Sequence, residues 1–180
     1  MIEAKEGERW RKKYKIGVLS DTHMPRMAKA LPAELLKGLA HSDYILHAGD
    51  WSDWSVYEAL KEIALVKGVT GNADSGRIKE HFGSTELFEI GGLRIGIVHG
   101  HGTRGTTESR ALKAFEGQKA DCIIFGHSHI PLIKHVGETL LFNPGSPTDK
   151  RRQPLYSYGV LEIEDGRLEA RHVFFRDKKV

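Results

Sequence analysis

The sequence predicts an α/β fold of two packed β-sheets with helices outside, and two observations carry that reading. The first half of the chain alternates short apolar runs with helical patterns, and those runs are apolar enough for buried strands. The second half turns to pairs of strands joined by Gly-containing turns, the mark of antiparallel hairpins. The same succession of strands would also build one mixed sheet, and the pattern alone leaves both arrangements open.

The elements follow in order. Residues 1–13 form a mixed-charge N-terminal extension, and residues 14–180 a single domain. Tyr14–Ser20 reads as the first strand. Leu31–Ala40 carries Leu31, Leu35, Leu36 and Leu39 at helical spacing, with Pro32 tolerated in the first turn. Tyr44–Ala48 is a second strand, Val56–Glu62 a helix capped by Ser52 or Asp53, and Ala64–Val69 a third strand. Thr85–Ile90 and Leu93–Val98 flank Gly91-Gly92 as a hairpin. Thr106 or Thr107 opens a helix that ends near Phe115 or Glu116, before Gly117. Asp121–Phe125 is a buried strand. Leu132–Val136 with Thr139–Phe142, and Tyr156–Ile163 with Arg167–Phe175, complete two more hairpins.

Composition excludes several classes. At 180 residues the chain can bury a core without disulfides or a structural metal. Its 39% hydrophobic and 28% charged residues are those of a globular domain. A net charge of +3, much of it in the two ends, reads as solvated tails and does not support nucleic acid as a partner. No apolar run approaches about 20 residues, so no membrane span is expected, and the first residues lack the apolar core of a signal peptide. The single cysteine, Cys122, cannot form an intrachain disulfide and reads as a small core residue; this fits the cytoplasm. Edge strands and the terminal hairpin leave a homo-oligomer open.

The ten histidines are unevenly placed, and six lie in or beside polar clusters at strand ends. The clusters are Asp21-Thr22-His23, Gly49-Asp50, Gly71-Asn72, His99-Gly100-His101 and Gly126-His127-Ser128-His129. The C-terminal ends of strands are where open α/β sheets place ligand sites. Together the clusters supply oxygen and nitrogen ligands for two metal ions. Asp50 is the natural bridge; Asp21, His23 and His129 complete one ion, and Asn72, His99 and His127 the other. A pair of ions about 4 Å apart clamps the attacking and leaving oxygens of a phosphoryl transfer and acidifies a water to the hydroxide that attacks phosphorus in line. A mixed carboxylate and imidazole shell suits divalent transition metals, manganese first, with nickel, iron, cobalt and zinc as alternatives.

These residues in this order (Asp-x-His, Gly-Asp, Gly-Asn, His-Gly-His, Gly-His-x-His) resemble the calcineurin-like metallophosphoesterases. The short length and the turn Asn143-Pro144-Gly145-Ser146 are similar to the small bacterial and archaeal phosphodiesterase branch, which is related to the retromer subunit. The likeness spans residues 14 to 163. It implies a four-layer α-β-β-α sandwich of two mixed sheets. It also implies a dinuclear site held by Asp21, His23, Asp50, Asn72, His99, His127 and His129, and a small phosphate ester as substrate. The expected activity is a metal-dependent phosphodiesterase, with a phosphomonoesterase or a non-catalytic scaffold as alternatives. Many family phosphatases carry a His after Gly-Asn that is thought to protonate the leaving group. Here Ala73 and Asp74 follow, which favours good leaving groups or a substitute donor, His101.

Each residue has a blander reading. Asp21, His23 and Asp50 could be turn residues, but three at three strand ends favour ligands. His101, besides the donor role, suits a position behind the metal ligands, a substrate contact or a solvated loop. Arg26 could hold a substrate phosphate by bidentate hydrogen bonds and equally reads as a solvated loop residue. Arg104 and the pair Arg151-Arg152 are weaker versions of the same idea. His47, inside an apolar strand, reads as core. Trp51 and Trp54 read as packing before base stacking, the proline turn as support for the site floor, and Asp74 as a carboxylate that orients a ligand histidine.

Overall fold

The computed structural model describes residues 12–180, so the expected N-terminal extension lies, apart from Lys12 and Lys13, outside the described residues. The elements are β1 (Tyr14–Leu19), α1 (Ala33–Leu39), β2 (Tyr44–His47), α2 (Trp54–Lys61), β3 (Leu65–Gly68), α3 (Gly76–His81), β4 (Thr85–Ile90), β5 (Leu93–Val98), α4 (Thr107–Ala114), β6 (Cys122–Ile124), β7 (Leu132–Val136), β8 (Thr139–Asn143), β9 (Tyr156–Glu164) and β10 (Arg167–Phe175). They form two five-stranded sheets, β10-β9-β1-β2-β3 and β4-β5-β6-β8-β7. Both are mixed. β1, β2 and β3 run parallel in the first sheet, as do β5, β6 and β8 in the second, while β9, β10, β4 and β7 pair antiparallel.

Alternation along the strands makes the layers. Ile16 and Val18 of β1, Cys122 and Ile124 of β6, Leu140 and Phe142 of β8, and Leu161 and Ile163 of β9 point into one core between the sheets. The opposite faces bury against helices. Leu19, Ile45, Tyr158 and Val160 meet Leu35 and Leu39 of α1, Val56 and Leu60 of α2, and Ile78 of α3. Ile123, Phe125 and Leu141 meet Ala111 of α4 and Phe115. Helices on the two outer faces give the four layers. Cys122 is buried and its thiol is pushed up to about 12, chiefly by burial, so it is inert core.

The terminal hairpin returns to pair β9 with β1 and so joins the first sheet. Two differences from the expected elements have physical causes. Helix α1 starts after Pro32, whose ψ of 142° is extended, so Pro32 stands before the helix and not in its first turn. Helix α3 was not foreseen; it has only Ile78 buried and is held by packing against the α1–α2 layer. Asp53 caps α2 by accepting the Ser55 N–H, and Thr106 with Ser109 forms a capping box on α4. No helix among the described residues is long and apolar enough to cross a membrane.

His47 is core, as its setting in an apolar strand suggests. Its ring is fully buried and stacks 3.8 Å from Trp51, which stacks in turn on Phe82. Its Nδ1 accepts the Gly49 N–H at 3.2 Å, so Nε2 carries the proton and donates to Thr22 Oγ1 at 3.1 Å. Burial pushes its pKa down to about 3, against the pull of Asp21. Between that value and the ordinary histidine range the unfolded chain binds one more proton than the folded one. Stability is therefore lost as pH falls below about 6.5, by about 1.4 kcal/mol per pH unit from this group. Urea unfolding at pH 7 and pH 5 measures the slope; it should be shallower in His47→Gln, and equal slopes would remove His47 from the account.

Candidate metal centre

Loops leaving the parallel strands of both sheets are tied to one another by hydrogen bonds. Gly126 N–H donates to His99 O, Asp21 N–H to Gly49 O, and His23 N–H to Asp50 O. His127 N–H donates to Asp21 Oδ2 at 3.0 Å, and Ser146 Oγ to Asp21 O at 2.8 Å. The tight turns put Asp21, His23, Asp50, His127 and His129 in the left-handed region, with φ of 56°, 44°, 58°, 68° and 59°. Each such residue costs roughly 1 kcal/mol or more, and such strain collects at functional sites.

Two glycines make room for the carboxylates. A Cβ on Gly126 would lie 1.9 Å from Ser20 Oγ and 2.7 Å from Asp21 Oδ2. One on Gly71 would lie 2.1 Å from Asp50 Oδ1.

The loops assemble two groups of side chains, Asp21 with His23 and His129, and Asp50 with His99 and His127. Within each group the candidate ligand atoms lie within 4.8 Å of one another. Asp50 Oδ2 stands 3.1 Å from His99 Nε2 and 3.5 Å from His23 Nε2, between the groups. Asp21 Oδ1 is 3.4 Å from His129 Nε2 and 3.7 Å from both His23 Nε2 and His99 Nε2.

The other atoms of these side chains are occupied, which aims the remaining ones. Asp21 Oδ2 accepts from Ser20 Oγ and from the His127 N–H. Asp50 Oδ1 accepts the Ala73 N–H at 2.8 Å. His99 Nδ1 donates to Ala48 O at 2.7 Å and His129 Nδ1 to Asp149 O at 2.5 Å. Asp21 Oδ1 and the Nε2 atoms of His23, His99 and His129 are left buried without a hydrogen-bond partner. Four orphaned polar atoms facing one space would be costly unless a cation is shared among them, and this donor set fits two divalent ions.

Electrostatics agree. Burial alone would raise the Asp21 carboxyl, but the neighbouring rings of His129 and His23 and the charge of His99 hold it far below the ordinary range. Asp50 is held low against burial by His99 and by the Ala73 N–H. Burial works against charge on His99 and His129, yet Asp50 and Asp21 raise the first and Asp21 the second. His127 and His101 are lowered, first by burial and then by the charge of His99. The carboxylates thus draw positive charge to the pocket floor.

Asn72 is exposed beside Gly71, and its side chain makes no hydrogen bond among the described residues. The His101 ring is 5.5 Å from His99 and 6.3 Å from His127, on the exposed side. Arg26 is exposed and pairs with no acidic group among the described residues. Trp51 is fully buried with its Nε1 on Val69 O, so it cannot stack on a substrate. Asp74 does not orient a histidine; it accepts the N–H groups of Asp50, Ser52 and Gly71 at 2.8–2.9 Å. The proline turn supports the floor, since Asn143 Nδ2 donates to Gly126 O and Ser128 Oγ. Ser146 of the same turn donates to Asp21 O, while Ser20 and Asp149 stand out in no sequence pattern, because small polar residues in turns look alike.

Comparison with known proteins places the chain. Residues 14–166 match the calcineurin-like phosphoesterase superfamily domain. A protein of Methanothermobacter thermautotrophicus named as a probable metallophosphoesterase is 37% identical, covering 86% of this chain and 89% of its own. A phosphodiesterase of Methanocaldococcus jannaschii is 28% identical over 73% of this chain and 82% of its own. The solved structure of Vacuolar Protein Sorting 29 from Cryptosporidium parvum superposes with a TM-score of 0.72 at 21% identity, covering 92% and 99% of the two chains, a likeness of fold.

The chain belongs to the calcineurin-like phosphoesterase superfamily. It is a metallophosphoesterase whose two buried Asp/His clusters suit a dinuclear site.

Asp74 gives a test of this architecture. An amide at Asp74→Asn must turn an NH₂ toward a backbone N–H on one side or the other. Metal affinity should fall by about 10- to 100-fold, the usual cost of losing an outer-shell partner, and Gly126→Ala should lower it as well. Calorimetric titration of metal-stripped protein with Mn²⁺ measures both. Unchanged affinity in the two variants would show that the loops need neither support.

Proposed function

We propose that this protein is a metal-dependent phosphodiesterase acting on a small phosphate ester. The observation that carries the reading is the set of orphaned donors, Asp21 Oδ1 and three histidine Nε2 atoms, gathered beside the Asp50 carboxylate. Asp21, His23 and His129 would hold one divalent ion and His99 and His127 a second, with Asp50 shared and Asn72 adding an oxygen to the second. Ions bound there supply Lewis acidity, which lowers the pKa of water and offsets charge on phosphoryl oxygens. The protein positions them through side chains whose second atoms are already fixed.

The chain itself offers little acid catalysis, and this supports the diester side of the reading. Ala73, which follows Asn72, carries no proton donor in its side chain, and its N–H is used to orient Asp50. His101 is the nearest remaining ring on the open side, and burial together with His99 lowers its pKa. It is therefore neutral at physiological pH and can donate one hydrogen bond to a substrate oxygen without being a strong acid. Esters with good leaving groups are the substrates such a site turns over. The named phosphodiesterase among the relatives supports the same choice. Imidazole with carboxylate suits manganese and its neighbours better than calcium or magnesium.

Metal-stripped protein should not hydrolyse bis-p-nitrophenyl phosphate, and Mn²⁺ should restore the reaction. Asp50→Ala and His127→Ala should each lose the second ion and drop to background. Full activity in either variant would refute the shared-carboxylate arrangement. Faster hydrolysis of the monoester p-nitrophenyl phosphate would make the protein a phosphomonoesterase.

A further inference from the structure

A phosphate ester bound over the clusters carries anionic oxygens that a cationic side chain at the rim can also hold. The cations around the rim differ in how committed they are. Arg110 is spent: Nε and the two terminal nitrogens bind Gly100 O, Gly105 O, Arg104 O and Thr107 Oγ1 at 2.7–3.2 Å, which stiffens the loop after His99. Lys178 is bound to Met27 O and Thr148 O, and Lys150 to Gln153 O. Arg26 reaches no partner that would fix its direction among the described residues.

Arg151 is different. It sits in the left-handed region, φ 47°, in the turn that the Gln153 N–H to Lys150 O bond closes. Its guanidinium is drawn over the site loops: one terminal nitrogen lies 3.5 Å from His127 O, and Nε lies 4.0 Å from Asp149 Oδ2. Asp149 in turn holds His129 by its carbonyl oxygen. The guanidinium is thus beside the backbone of one cluster and beside the support of the other. Of its five N–H donors only one makes a hydrogen bond among the described residues, and at the long limit, while half the side chain faces solvent. A planar fork with donors to spare, held next to the two Asp/His clusters, matches the geometry of a phosphate.

We propose that Arg151 is the residue that binds a non-bridging phosphoryl oxygen of the substrate, and that Arg26 is not. This rests on the phosphoesterase reading, which it deepens. The rival role for Arg151 is support of Asp149 and hence of His129, and the two roles separate in measurement.

The experiment compares wild type, Arg151→Ala, Arg151→Lys and Arg26→Ala, all loaded with Mn²⁺. Metal content, calorimetric affinity for inorganic phosphate, and kcat and KM on bis-p-nitrophenyl phosphate are read for each. The expected result for Arg151→Ala is full metal content, phosphate affinity lower by about 10- to 100-fold, and a comparable loss in kcat/KM, the worth of a charge-assisted hydrogen bond. Arg151→Lys should recover part of it as a point charge, and Arg26→Ala should match wild type. Unchanged phosphate affinity in Arg151→Ala would overturn the proposal, as would loss of metal from that variant. Wild type that binds phosphate through Arg151 yet hydrolyses no ester would keep this assignment and sink the enzymatic one.

Discussion

The position of Asp50 between the two clusters depends on a second carboxylate that belongs to neither. Asp74 collects the backbone N–H groups of Asp50, Ser52 and Gly71, and so joins the loop after β2 to the loop after β3. Burial pushes the Asp74 pKa up, while these N–H groups pull it back toward the charged form. The same contact brings Gly71 so close to Asp50 that no larger residue fits. Ala73 then takes Asp50 Oδ1, and only Oδ2 is left to face His23 and His99. The direction of Asp50 Oδ2 is set by backbone amides, which cannot rotate away as side chains can.

A parallel device fixes Asp21 across the gap between the sheets. Its Oδ2 is held by Ser20 and by the amide of His127, and its carbonyl by Ser146 from the loop between β8 and β9. The core between the sheets sets the distance over which these bonds act. Ile16, Val18, Ile95, Ile97, Ile124 and Phe142 bring the strand ends into register by packing, and the polar loops close above them. Five left-handed residues in those loops are costly, and they persist because the core and the inter-loop hydrogen bonds leave the chain no relaxed alternative.

Much of this was legible in the residues. Strands showed in apolar runs bounded by Gly, and the aspartates and histidines showed because each stood at a strand's end, where a folding role would not demand it. His47 was legible as core from its apolar neighbours. Other features were hidden for definable reasons. Helix α3 has a single buried apolar residue and therefore no period to read. The return of β9 to β1 is a matter of long-range pairing that no local pattern encodes. Asp74 looked like a partner for a histidine ring because carboxylates often are, whereas its partners are amides, which every residue carries. Arg151 looked like one basic residue in a run of three, and its direction came only from the turn that it occupies.

The burial of the site residues gives it a direction. Asp21, Asp50, His99 and His129 are almost wholly buried, His127 is half-buried, and His101 and Arg151 are exposed. On the proposed reading a substrate approaches over His127, with its phosphoryl group against the buried floor and its ester groups toward His101 and solvent. A leaving oxygen that departs into water has less need of a protein acid than one expelled into a closed pocket, because water can deliver the proton. The open rim and Ala73 are then two expressions of one design. On that same reading the chain invests its strained turns and buried carboxylates in placing positive charge under the phosphorus, and leaves departure of the alcohol to the solvent. Such a site discriminates by the charge and leaving ability of the ester more than by the shape of the group attached to it.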